Sequence, residues 1–148
     1  MELGKLHVVL VHFPIALVVA TATADVLWAF TRRKFFDNAG LYCLLGALLM
    51  APLAAILGDM RFDMLFKDPG PALAENHATA GFVGLGLIIA AATARVFWRL
   101  KGWKWLKAVY VVLIAAAFVA IIIAGHLGGL VSHGEDYFSG VFGGVGGP

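Results

Sequence analysis

Residues 20–34 read ATATADVLWAFTRRK and residues 90–104 read AAATARVFWRLKGWK, and the two align at a constant offset of 70 residues. The alignment matches Thr23 with Thr93, Val26 with Val96 and Trp28 with Trp98. The same offset carries His7 onto His77 and Leu57-Gly58 onto Leu127-Gly128, so the match reaches beyond one alanine-rich patch. A duplicated helical hairpin accounts for all of it. Two hairpins that start at the same face are related by an axis along the bundle, which puts the first and third helices of an up-down-up-down arrangement on a diagonal. The competing reading is a coincidence of two alanine-rich helices that end in the same aromatic and basic belt.

The rest of the 148-residue chain fits such a bundle: it is 61% hydrophobic and 14% charged, with a mean hydropathy of +0.91. Soluble domains are typically about 45–50% apolar, so this composition belongs in a bilayer and argues against a nucleic-acid partner. Four apolar stretches, at about residues 6–30, 40–57, 77–98 and 105–127, are long enough to cross a hydrocarbon core of roughly 30 Å. The expected fold is therefore an all-α, four-transmembrane-helix up-down-up-down bundle forming a single domain. Residues 61–66, RFDMLF, suit a short helix lying in the interface, and residues 128–148 are too glycine-rich to be expected as a fifth helix. The first stretch is too long for a signal peptide and its charges follow the apolar run, so it reads as a retained helix. Pro14 and Pro52 lie inside helices and are expected to bend them.

Alternating the helices places Arg32, Arg33, Lys34, Arg95, Arg99, Lys101, Lys104 and Lys107 at one face, with Lys5, Arg61 and Lys67 at the other. By the positive-inside rule the first face is expected to be cytoplasmic, in a bacterial inner membrane with both termini periplasmic. All four tryptophans, Trp28, Trp98, Trp103 and Trp105, fall at the basic level, where amphipathic rings favour the headgroups. Asp25 and Arg95 occupy equivalent repeat positions with opposite charge, and pairing with each other or with neighbouring charges is expected.

All five histidines, His7, His12, His77, His126 and His133, fall toward the other face. Histidines gathered at one depth suggest a bound metal or haem, since ionisable groups within a membrane are costly and tend to mark function. Equal spacing of 21 residues from His7 to Trp28, His77 to Trp98 and Trp105 to His126 puts three of them at one level. Gly81 and Gly84 follow His77 at helical spacing, a slot in which a porphyrin has room; Ala16, Val19 and Thr23 lie on the face below His12. The same small residues serve close helix packing in membranes, and a lone helix-end histidine such as His7 or His133 reads equally as an interface residue. Asp59 and Glu75 are candidate acceptors for a ligating histidine's other ring nitrogen. The single Cys43 excludes an intramolecular disulfide and covalent c-type haem attachment.

The segments LHVVLVHFPIAL at residues 6–17, Asn76-His77 and GHLGGLVSHG at residues 125–134 resemble a family of small four-helix bacterial membrane proteins catalogued as a domain of unknown function. The resemblance covers nearly the whole chain. Members of that family are sometimes fused to Rieske iron–sulfur or cytochrome c modules, which implies membrane electron transfer.

The leading expectation is a cytochrome b-like electron-transport protein or redox-complex subunit, with haem b bound from among His12, His77 and His126 over Gly81 and Gly84. The alternative cofactor is copper or zinc on histidines drawn from His7, His12, His77, His126 and His133. A structural subunit of a respiratory or photosynthetic complex is the third reading. Expected partners are the lipid bilayer, a quinone or periplasmic redox protein, and a larger complex or a second copy. A stand-alone enzyme is less favoured, because no nucleophile or paired-carboxylate constellation stands out.

Overall fold

The computed structural model describes residues 3–65 and 70–133, and they form five helices. These are α1 (Leu3–Leu10), α2 (His12–Thr31), α3 (Lys34–Leu65), α4 (Ala72–Lys101) and α5 (Trp105–His133). Four spans are long and apolar enough to cross a membrane, α1 and α2 counting together as one from Leu6 to Thr31. The interruption at Val11 follows from Pro14, which lacks the N–H that the Leu10 carbonyl would accept. Around it the Val11 N–H still reaches the His7 carbonyl at 2.9 Å, while the Ile15 N–H reaches Val11 only at 3.4 Å. Pro52 is absorbed within a continuous α3.

α2 packs against α3 and α5, and α4 packs against α5 and α3, so α2 and α4 share one diagonal. The repeat is visible in the core, where equivalent residues of the two hairpins are buried together: Val18 with Ile88, Leu44 with Ile114, and Ala47 with Ala117. Alanines at these levels let the backbones approach closely, which substitutes for the hydrophobic drive that lipid removes. Even the caps repeat. α2 ends on Arg32 (φ 55°) and α4 on Gly102 (φ 71°), each left-handed, with N–H groups returned to Trp28 and Trp98 respectively. Glycine takes that conformation without strain, whereas Arg32 stacks its guanidinium 5.6 Å over Trp28.

Two segments differ from expectation. Arg61–Leu65 continues α3 as the same helix, without a break into a separate interfacial one. α5 runs through Gly128 and Gly129 to His133, so residues 128–133 are helical and the remaining tail lies outside the described residues. A helix-interior glycine costs only about 1 kcal/mol relative to alanine, and packing overrides that.

Candidate functional site

Three pairs of repeat-equivalent residues meet across the diagonal between the first span, α1 and α2, and the third, α4. At one end the rings of His7 and His77 stand 6.2 Å apart, edge to face at 74°. At the other end Arg95 binds Asp25 at 2.8 Å, and Trp28 lies 6.0 Å from Trp98. Contacts in matching order at both ends require the first and third spans to run parallel about a common pseudo-two-fold axis.

The histidine end repeats down to single atoms. His7 Nδ1–H donates to the Ala54 carbonyl at 2.8 Å, and His77 Nδ1–H donates to the equivalent Ala124 carbonyl at 2.9 Å. A carbonyl can only accept, so each ring carries a proton on Nδ1, and the neutral form of such a ring keeps its lone pair on Nε2. One turn further along, Gly58 and Gly128 make room for the rings. A Cβ there would lie 2.8 Å from His7 Cε1 and 2.9 Å from His77 Cε1. The acceptors expected at Asp59 and Glu75 are thus backbone carbonyls instead.

Beside the two rings opens an apolar cavity of about 120 Å³, lined by His7, Pro14, Ala54, Gly58, His77 and Gly81 among others. Its walls straddle the axis: Val11 faces the role of Gly81, Ile15 that of Leu85, and Ala55 that of Gly125. Asp59 and Phe62 border the cavity in the first hairpin only, where the second has Gly129 and Ser132.

The predicted histidines divide accordingly. His7 and His77 are brought together. His12 is exposed on the outer surface and donates Nδ1–H to its own helix at the Val8 carbonyl, 2.7 Å away. Ala16, Val19 and Thr23 share that outward face, so they do not form a slot in the bundle. His126 is also exposed, two residues beyond the carbonyl that holds His77. The His133 side chain lies outside the described residues. Gly81 has open space around it and borders the cavity, while Gly84 serves helix packing, its notional Cβ lying 3.4 Å from Ile121. Among the described residues no three His, Cys, Asp or Glu side chains converge as metal ligands, so the level trio of His7, His77 and His126 is not assembled.

The opposite end carries a charge network centred on Arg95, whose side chain is 1% exposed. One guanidinium nitrogen binds both Asp25 oxygens and the Tyr110 hydroxyl, which in turn donates to Asp25. The other binds the Asp37 carbonyl at 2.8 Å and the Asp37 carboxylate at 3.2 Å. Arg99 shares Asp37 at 3.4 Å. Gly40 makes this possible, because a Cβ there would sit 2.8 Å from Asp25 Oδ1. Two carboxylates thus balance two guanidinium groups, which compensates their burial, and the Arg95 Nε alone of that guanidinium's nitrogens has no hydrogen-bond partner among the described residues.

Ala54, Ala124, Gly58 and Gly128 are not among the site residues expected from the sequence, nor are Tyr110 and Asp37. The signal was present for the glycines, since Leu57-Gly58 and Leu127-Gly128 repeat at the same offset as the histidines they accommodate. No curated protein and no solved structure matches the chain. A family model described as a predicted membrane protein, DUF2231, matches residues 4–135, and the chain belongs to that family.

Proposed function

We propose that His7 and His77 would hold one non-covalently bound haem b, and that the protein is a membrane electron-transfer subunit. The observation that carries this reading is the diagonal pair itself: two imidazoles 6.2 Å apart, each fixed by an Nδ1–H bond to a backbone carbonyl. The pair offers two imidazole nitrogens to a bound group, and His7 and His77 would hold haem through them. Small residues, Ala54, Ala55 and Gly58 on α3 with Ala124, Gly125 and Gly128 on α5, flank the pair on the other diagonal.

When bound, haem supplies a one-electron couple. The chain's own residues set its surroundings: the Ala54 and Ala124 carbonyls orient the imidazoles and raise their basicity, and Pro14, Ile15, Leu85 and Ile88 keep water from the inner side. The present volume of about 120 Å³ suits a small aromatic molecule better than a whole macrocycle, so a macrocycle would require the wall to open. The same volume favours a second reading, a single copper ion between the two imidazoles. In either case the partner is a quinol or a redox protein that approaches the histidine end.

Absorption spectra of the purified protein, oxidised and reduced, with elemental analysis, test both. A Soret band that is lost in His7→Ala and in His77→Ala but kept in His12→Ala supports the haem reading. Copper without a Soret band selects the second. A Soret band unchanged in the His7→Ala/His77→Ala double variant removes both residues from the ligand set.

A further inference from the structure

At the end of the bundle remote from the histidines, the lipid-facing surface between α4 and α5 holds a groove of about 440 Å³, against about 120 Å³ for the histidine cavity. Its floor and walls are Ala90, Thr93 and Phe97 on α4 with Val109 and Leu113 on α5, and Trp103 forms the rim. Ala90 to Phe97 and Leu106 to Leu113 each cover seven residue steps, which makes the groove about two turns, roughly 10 Å, deep along the membrane normal. Its only hydroxyl is already satisfied, since Thr93 donates to the Ile89 carbonyl at 2.8 Å. The groove is therefore apolar along its whole length.

Cations flank the rim. Lys101 and Lys104 sit on either side of the Gly102-Trp103 turn, both exposed, and neither has an ion-pair partner among the described residues. The neighbouring cations are engaged elsewhere: Arg99 binds Asp37 and Asn38, and Lys107 lies 4.6 Å over Trp28. Trp103 stacks on Trp105 at 6.3 Å, which fixes the rim at headgroup level. The equivalent positions of the first hairpin hold Leu27 for Phe97, Arg33 for Trp103 and Ala39 for Val109, so this aromatic-rimmed groove belongs to the second hairpin alone.

The geometry points to a binding site for one anionic phospholipid, with an acyl chain in the groove between α4 and α5 and the headgroup phosphate on Lys101 and Lys104. An apolar slot that opens to lipid and ends at two unpaired ammonium groups matches both parts of that molecule and excludes a soluble anion, which gains nothing from the slot.

Native mass spectrometry of the full-length protein, stripped of lipid in mild detergent, provides the test, with titration by dioleoyl phosphatidylglycerol, dioleoyl phosphatidylcholine or inorganic phosphate. The expected result is one phosphatidylglycerol retained in preference to phosphatidylcholine, with phosphate failing to compete. Lys101→Gln with Lys104→Gln should weaken phosphatidylglycerol about 30-fold, a factor of about five for each lysine. Val109→Trp, which fills the groove from an exposed position, should weaken both lipids. Equal retention of the two lipids by the wild type, or unchanged retention by the double lysine variant, overturns the headgroup assignment. Phosphate binding as tight as phosphatidylglycerol, or a Val109→Trp variant that binds like the wild type, overturns the groove.

Discussion

Gly58 and Gly128 are glycine because the histidine of the adjoining first or third span needs the space. At each, a Cβ would fall within 2.9 Å of an imidazole carbon. Gly58→Ala or Gly128→Ala should therefore push the ring off its carbonyl and strand a half-buried Nδ1–H. That costs about 1–3 kcal/mol, read as a lower unfolding midpoint in micelles. Gly81→Ala is the control, since nothing lies within 4 Å of its notional Cβ. It should stabilise α4 by about 0.5–1 kcal/mol through helix propensity alone. If all three variants behave alike, the ring contacts are not what fixes these glycines. Helical spacing along one strand of sequence directed attention to Gly81 and Gly84, directly below His77. The glycine that the His77 ring requires is Gly128, on another helix, and spacing within a helix carries no information about a neighbour. Only the shared offset of 70 residues links the two.

At the scale of elements, the apolar runs located all four spans but understated their length. α3 runs from Lys34 to Leu65 where the apolar run covers about residues 40–57. Hydropathy marks where hydrocarbon begins, whereas the backbone continues its hydrogen bonding into the polar interface until a left-handed cap or a proline stops it. The break at Val11 was partly legible. Pro14 announces a bend, but its consequence, that α1 is set apart and carries His7 toward the axis, depends on packing. Pro14→Ala restores an N–H for the Leu10 carbonyl and should join α1 to α2 in one helix. His7 then leaves the Ala54 carbonyl. In proton–nitrogen NMR of the micelle-bound protein, the slowly exchanging Nδ1–H signal of His7 should vanish while that of His77 persists. Retention of both signals would show that the break does not position His7.

On the scale of the whole molecule, the ionisable residues that meet on the axis are identical at one end and opposite in charge at the other, and electrostatics gives the reason. Residues related by the offset meet on the axis, so identical charges there would face each other in a medium of low dielectric. Imidazoles in their neutral form carry no such penalty, and His7 faces His77. At the far end the equivalents are Asp25 with Arg95, while Gly40 is equivalent to Tyr110 and Asp37 to Lys107. The sequence disclosed the opposite charges of Asp25 and Arg95; it did not disclose that Asp37 and Tyr110 complete their shell, because those contacts span 58 and 15 residues. Asp25→Arg should set two guanidinium groups together and cost about 3–5 kcal/mol, as should Arg95→Asp, which sets a third carboxylate beside Asp25 and Asp37 in place of their common partner. Combining the two reversals should recover part of the loss. Recovery stays incomplete because Asp37 then meets a carboxylate at position 95, and adding Asp37→Asn should narrow the gap. Unfolding midpoints for the two single variants, the double and the triple measure this order directly. A single reversal as stable as the wild type would show that the diagonal charge pair does not hold the two hairpins together.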